Sequence, residues 1–426
     1  LTLQPDPQPL IAAVRALLDR ARKASTVLAS SSGHVRDQVL LRAADRLDAD
    51  HAAILEANAH DLEDAKDSGK GSAFLDRLAL TARGLHQLSA ALREIAAMPD
   101  PVGAVTGGGR RPNGLEVVRQ RIPLGVVGMV YEARPGVTVD AAALCLKAGN
   151  SVVLRGGSEA VRSNAALGDR MRAALADAGL PADALLQLPM TERAAVDVLV
   201  GLRGGLDVVI PRGGTALIEA VSEAARVPVI QHFQGVCHLF VHAAADLDEA
   251  EQVVVNAKTQ RPGVCNAMEA LLVDAAIAER AVPRLTRALA EKHCEIRACE
   301  RSIRLAGGVA IAAQDDDRGR EFLDLVALVQ VVDGVDGALA HIRRYGSRHT
   351  EGILTRDLAA AEAFVRGVDA SCVVVNASTR FNDGGCLGLG AELGISTSKL
   401  HAYGPMGLEH LTTERWVVRG AGHIRT

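Results

Sequence analysis

Aromatic side chains are almost missing: Phe, Trp and Tyr make up 2% of 426 residues, with a single tryptophan. The core must therefore be built from Ala, Val, Leu and Ile. A surface on which nucleobases stack is excluded, so no nucleic-acid partner is expected. A strong charge of one sign is missing too. The formal net charge is -4, and no global field draws the chain to DNA or anionic lipid. No apolar run reaches the ~18 residues of a membrane helix. Residues 1–10 lack the basic and apolar regions of a secretory signal. The cysteines, at 145, 237, 265, 294, 299, 372 and 386, form no C-x-x-C pair, so a reduced, cytoplasmic setting is expected. There is no G-x-G-x-x-G and no repeat of fixed period.

What is present falls into two grammars. Over 10–28, 35–47 and 52–66, apolar residues recur every three or four positions with charges between them, the pattern of amphipathic helices. Glycines and a proline over 102–113 break this pattern. Then 115–121 (LEVVRQR) alternates like a strand, and with the turn before it suggests an exposed β-ribbon. From Leu124 onward, short apolar runs (124–131, 151–154, 184–188, 207–210, 227–230, 238–242) alternate with helical stretches (138–147, 159–178, 215–225). Runs at 270–273, 325–332, 352–355 and 372–375 repeat the scheme more loosely. The fold class is therefore α/β: two α/β domains with mostly parallel sheets covered on both faces, plus a β-ribbon.

Four segments have chemical potential. In NAKTQRPGVCN (256–266) a helix gives way to a loop that delivers Cys265, with the cations Lys258 and Arg261 nearby. Cations stabilise a thiolate, although a buried, inert thiol is the commoner state of any one cysteine. Cys145, Cys237 and Cys372 sit in apolar runs and are expected in the core. Cys294 and Cys299 sit in a charged stretch and are expected at the surface. In SVVLRGGSEAVRSN (151–164) a strand ends in Arg155, Gly156, Gly157 and Ser158 ahead of a helix. Small residues and a helix N-terminus suit a phosphate, and Arg155 with Ser158 suits an adenosine 2′-phosphate; alone, the segment reads as an ordinary strand-to-helix turn. VVIPRGG (208–214), ending in Arg212, Gly213 and Gly214, is a further such turn, and each strengthens the nucleotide reading of the other. In the Gly-rich segment 375–392, Arg380 and Asp383 suit the carboxylate and ammonium of an amino acid, and equally suit a solvated turn. His232, His238 and His242 lack spaced carboxylates, and no metal site is expected.

Taken together, NAKTQRPGVCNA, RIPLGVVGMVYEARP, LRGGSEA, VVIPRGG, VNASTRF and KLHAYGPMGLEHLTT resemble the γ-glutamyl phosphate reductases, a branch of the aldehyde dehydrogenase superfamily. The resemblance runs from about Val35 to the end of the chain. It implies an aldehyde-dehydrogenase-like fold. Residues 1–102 and 123–242 would form an NADPH-binding domain, 243–388 a catalytic domain, and 103–122 with 400–426 an oligomerisation ribbon and tail. It implies Cys265 as nucleophile and Glu321 on the nicotinamide ribose. Arg155, Gly156, Ser158, Arg212, Gly213 and Gly214 would bind NADPH. Arg134, Lys258, Arg261, Arg380 and Asp383 would bind the substrate, L-glutamyl 5-phosphate. A homo-oligomer, dimer or tetramer, and a transient contact with glutamate 5-kinase complete the expectation. Hydrolytic members keep a glutamate base on the strand that here reads 229–242, and no Glu occurs there. Gly136, Cys386 and Tyr403 depart from the residues usual in the family. The rival readings are an acyl-CoA reductase or semialdehyde oxidiser of the same superfamily, and a catalytically weak scaffold.

Overall fold

The computed structural model describes residues 8–231 and 234–425. The chain divides into two compact units, one of Leu1–Gln231, Leu389–Gly394 and Met406–Thr426, the other of His232–Gly388 and Ile395–Pro405.

The first unit opens with helices α1 (Gln8–Ser30), α2 (Gly33–Ala49), α3 (His51–Asp67), α4 (Ser72–Leu78) and α5 (Ala82–Ala97). Val14, Leu17, Leu18, Ala21, Ala24 and Leu28 make the buried stripe of α1. Ser32 and Thr81 cap α2 and α5 by accepting the amides of Val35 and Gly84. Two ribbon strands follow, β1 (Val105–Arg110) and β2 (Glu116–Pro123). The α/β part comprises β3 (Val126–Tyr131), α6 (Gly136–Lys147), β4 (Ser151–Arg155), α7 (Val161–Asp177), β5 (Leu185–Gln187), α8 (Arg193–Gly201), β6 (Val208–Arg212) and α9 (Thr215–Ala224). Its parallel sheet has the order β5-β4-β3-β6. The order reverses between β3 and β6, which opens a crevice outside their C-terminal ends. One apolar cluster joins α1, α8 and α9 to Val126, Val130, Val153 and Val209 of the sheet.

The Gly-rich segment before LEVVRQR, expected as a turn, is itself the strand β1. It pairs antiparallel with β2, with a bulge between Val105 and Gly107. Gly108 has φ 132, and a Cβ there would lie 2.2 Å from the Val117 carbonyl oxygen, so only glycine lets the strands close. The C-terminal strand Thr412–Arg419 pairs antiparallel with β2 on its other side.

The other unit contains β7 (Cys237–Val241), α10 (Leu247–Thr259), β8 (Met268–Asp274), α11 (Ala278–Ala290), β9 (Glu295–Ala298), α12 (Glu300–Ile303), β10 (Ala310–Ala312), β11 (Val326–Val332), α13 (Gly334–Tyr345), β12 (Thr350–Leu354), α14 (Leu358–Gly367) and β13 (Cys372–Val375). These strands form one parallel sheet, β10-β9-β11-β8-β7-β12-β13. Leu239 and Val241 face a cluster with α10 and α11, whereas Phe240 faces one with α13 and α14. Both faces are thus covered by helices. The run at 238–242, expected with the first domain, instead lies between β8 and β12 in this sheet. No helix among the described residues is long and apolar enough to cross a membrane.

Candidate active site

In the second unit, α10 ends at Thr259 and β8 begins at Met268. The loop between them turns tightly around Cys265, with the Ala267 N–H donating to the Val264 carbonyl at 3.0 Å. Cys265 is half-buried. Its backbone rests against Gly235, where a Cβ would lie 2.1 Å from the Cys265 oxygen. Any side chain at 235 would displace the loop.

Arg261 is exposed on the same loop. Arg380 arrives on a short 3-10 turn, Thr379–Phe381, and its Nε donates to Gln260 Oε1 at 2.9 Å. Burial lowers the pKa of the Arg380 guanidinium, and Arg261 lowers it further; Asp383, Cys265 and Cys386 pull the other way. Cys265, Arg261, Arg380 and Asp383, picked out from distant parts of the sequence, therefore share one electrostatic neighbourhood. Buried asparagines lock the two loops together. Asn266 Nδ2 donates to the Asn382 carbonyl at 2.9 Å, and Asn382 Nδ2 to Thr350 Oγ1 at 2.8 Å. Asp383 spends Oδ1 on its own turn, accepting from the amides of Gly385 and Cys386.

Lys258 is placed differently from the expectation. It is 0% exposed, and its Nζ is paired with Glu269 Oε2 at 2.6 Å. It points into the interior because α10 buries that face against β8, and it is not open to a substrate phosphate. Burial raises the pKa of Glu321 above the usual carboxylate value, with the Gly235 amide and Lys258 pulling the other way.

The other cysteines are unlike Cys265. Burial pushes the Cys145 thiol up to about 12 and the Cys294 thiol to about 11, and raises Cys237 and Cys372 as well. Cys294, expected at the surface, is 5% exposed because it packs in the apolar cluster under α11. Cys299 is half-buried and caps α12, accepting from Ser302. Burial raises its thiol, but hydrogen bonding from Ser302 and from the backbone of Val331 and Arg301 together outweighs that and holds it below the usual value.

In the first unit, the residues expected as nucleotide contacts lie at the C-terminal ends of β4 and β6, the parallel strands on either side of β3. Arg155 ends β4, Arg212 ends β6, and Gly213 and Gly214 follow it. Arg134 is exposed in the turn after β3, at the order reversal. The amides of these turns already have carboxylate partners. The amides of Arg162 and Ser163, at the start of α7, donate to Asp61 at 3.3 and 2.8 Å. Gly214, at the start of α9, donates to Glu132 at 3.0 Å. Gly156 is demanded by packing, since a Cβ there would lie 2.2 Å from Asn164 Nδ2. Ser158 is exposed, and Arg155 donates to the Thr191 carbonyl at 2.8 Å while its buried Nε has no partner. Arg212 donates to the Leu393 carbonyl.

His238 is wholly buried, with its Nδ1 2.9 Å from Glu351 Oε2, and His242 Nδ1 lies 2.8 Å from Thr355 Oγ1. His232 lies outside the described residues. Among those described, no group of three or more His, Cys, Asp or Glu is arranged to hold a metal ion.

Comparison with known proteins gives this geometry a lineage. The profile of the aldehyde dehydrogenase family matches residues 11–297. A γ-glutamyl phosphate reductase from Anaeromyxobacter sp. is 53% identical over 426 residues, covering 99% of this chain and 100% of the relative. The one from Nitratidesulfovibrio vulgaris is 52% identical over 406 residues, covering 95% and 97%. This chain belongs to the γ-glutamyl phosphate reductases of the aldehyde dehydrogenase family. The crystal structure of the Thermotoga maritima γ-glutamyl phosphate reductase superposes with a TM-score of 0.95 at 41% identity, covering 97% of this chain and 100% of that one. An engineered glycolyl-CoA reductase with bound NADP⁺ shares the fold, with a TM-score of 0.67 at 16% identity, covering 95% and 96%. The chain is thus an oxidoreductase with the aldehyde-dehydrogenase-like α/β fold expected from its sequence.

Family membership frames the departures. Gly136 opens α6, and a Cβ there would meet only Leu88, at an ordinary contact distance of 3.5 Å. Tyr403 donates to Asp369 at 3.3 Å. Cys386 is exposed on the loop after Asp383. Sequence reasoning does not single out Gly235, Asn266, Asn382 or Glu269. The legible sign is Glu269, a carboxylate inside the apolar run MEALLV; the other three act only through contacts between distant segments.

Proposed function

We propose that the protein reduces L-glutamyl 5-phosphate to L-glutamate 5-semialdehyde with release of phosphate, in proline biosynthesis. The observation that carries this reading is the tie between the Cys265 loop, with its Arg261, and the turn of Arg380 and Asp383, made by Arg380 on Gln260 and by Asn266 on Asn382. Guanidinium groups beside a cysteine suit an anionic acyl donor, both by holding its phosphate and by favouring a thiolate. The Cys265 thiolate attacks the acyl carbon, the bond to the phosphate oxygen breaks, and phosphate leaves with that electron pair. The backbone N–H of Cys265 is the proposed donor to the oxyanion. Arg380 and Asp383 orient the amino-acid end, and Arg261 faces the phosphate. Arg134, at the β3–β6 reversal, is assigned to substrate anions reaching that crevice.

NADPH supplies the hydride when bound. The unpartnered Nε of Arg155 is the observation that fits an anionic cofactor group to the first unit. Arg155 and Ser158 are assigned to the 2′-phosphate ribose, Gly156, Arg212, Gly213 and Gly214 to the cradle beside it, and Glu321 to the nicotinamide ribose. A reducing compartment such as the cytoplasm follows from the need for a reduced Cys265. The exposed Trp416 and Val418 on the C-terminal strand support a homo-oligomer joined through the ribbon.

The test runs the reaction backwards, following NADP⁺ reduction with pyrroline-5-carboxylate and phosphate. Activity with phosphate and none with coenzyme A is the expected result. A preference for coenzyme A would make the chain an acyl-CoA reductase.

A further inference from the structure

The buried Lys258–Glu269 pair has no part in the chemistry above, and it sits where the segment carrying Glu321 is anchored. Glu269 Oε1 accepts from the Leu323 N–H at 3.3 Å, while Oε2 takes Lys258 at 2.6 Å. Leu323 has φ 54, a left-handed backbone that a leucine adopts only when its surroundings enforce it. Between the two, the Phe322 ring lies 6.0 Å from Lys258 Nζ, 5.2 Å from Arg297 and 5.7 Å from Arg320. Glu321 stands two residues before Leu323, and its carboxylate feels the amide of Gly235, which backs onto Cys265. The segment Glu321–Phe322–Leu323 is therefore anchored at Leu323 by Glu269, the end of the stretch that starts at Cys265. Burying an ion pair does not by itself stabilise a fold relative to apolar residues of similar size. A pair kept there, with its other carboxylate oxygen on a strained backbone amide, has a geometric task.

We propose that Glu269, neutralised by Lys258, is the positioning residue that sets Glu321 relative to Cys265. The proposal rests on the assignment of Glu321 to the cofactor. It predicts that Glu269 affects the cofactor's KM without touching substrate or cofactor.

The experiment is a double-mutant cycle on the full chain, with NADP⁺ KM, kcat and melting temperature read together. Glu269→Gln is expected to raise the NADP⁺ KM about tenfold, and to do almost nothing further in a Glu321→Gln background, because both changes act through one group. Since Glu269→Gln leaves Lys258 buried without its partner and risks the fold, Lys258→Met with Glu269→Met serves as the companion variant. It should melt near the wild-type temperature and still show the raised NADP⁺ KM. Equal effects of Glu269→Gln in both backgrounds, or a well-folded double methionine variant with wild-type KM, would overturn the proposal and leave the pair merely structural. If Glu321→Gln itself leaves the NADP⁺ KM unchanged, the cofactor assignment of Glu321 fails, and the positioning role falls with it.

Discussion

The strand-end turns of the first unit resemble the Cys265 loop of the other unit in sequence: glycine, arginine and a small polar residue after an element end. Their surroundings differ. In the first unit the chain's own carboxylates occupy amides at the helix starts, Asp61 taking those that open α7 and Glu132 that of Gly214 before α9. The loop of the half-buried Cys265 carries Arg261, and Arg380 from a separate turn is hydrogen-bonded to it through Gln260. A Gly-rich turn is thus ambiguous, because close packing demands the same glycines that a phosphate would. A half-buried cysteine whose loop is tied to an arginine from a distant segment has no such packing explanation.

The sharpest way to break this contrast is at the thiol. Cys265→Ala should lower turnover by at least about 10³-fold while fold and cofactor binding persist. Cys145→Ala should instead lower the melting temperature with kcat little changed, since it only loosens a packed site. Substantial turnover by Cys265→Ala would end the covalent mechanism. Cys299 also has a lowered pKa, so alkylation by iodoacetamide must be mapped by peptide, and modification of Cys265 is the event that should track loss of activity.

Next come the cations. Arg380→Ala should reduce kcat/KM for the acyl phosphate by about tenfold to a hundredfold, the worth of a charged hydrogen bond of roughly 1.5–3 kcal/mol. The NADPH KM should not move. In the first unit, Arg155→Ala should weaken NADPH about tenfold more than NADH. Equal loss for both would mean that Arg155 does not read the 2′-phosphate, and that the strand-end turn is a packing device alone.

The smallest effect concerns acid stability. Burial, with His238 and Arg318 adding to it, pushes the pKa of His341 down to about 3 from 6.5. A group with a lowered folded pKa stabilises the fold above its unfolded value and loses that contribution as pH falls. The melting temperature should therefore decline as pH drops from 6.5 toward 3, and His341→Phe should flatten that decline. An unchanged slope would show that other groups govern acid unfolding.

The legible parts of this molecule are those carried by local pattern. Strands β3, β4, β6, β8 and β11 are apolar runs, and Cys265 with Arg261 is a sequence neighbour pair. Strand β1 escapes a reading of the sequence because its glycines signal a turn, although they serve to let Val117 approach. The charged β9 lacks an apolar run, and β10 is only three residues long. Strand β7 belongs to the other half from the one expected, because its own residues do not say which sheet it joins. Lys258 reads as a site cation because sequence distance to Cys265 is short, yet helix α10 turns it inward onto Glu269. Gly235 and Asn382 gain their roles only from tertiary contacts, which no local pattern encodes.

The central claim is an acyl group passed from phosphate to Cys265 and protected from water. No glutamate occurs over 229–242, and Glu351, brought beside His238 by β12, is wholly buried. A positioned base contributes about 10²–10⁴-fold, so its lack should be visible in product analysis. The direct measurement follows NADP⁺ reduction on glutamate semialdehyde with and without phosphate or arsenate, together with assay of free glutamate. Reduction that requires phosphate or arsenate, with little glutamate formed in their absence, is the predicted result. Rapid glutamate formation without phosphate would contradict it and make the protein a hydrolytic aldehyde dehydrogenase.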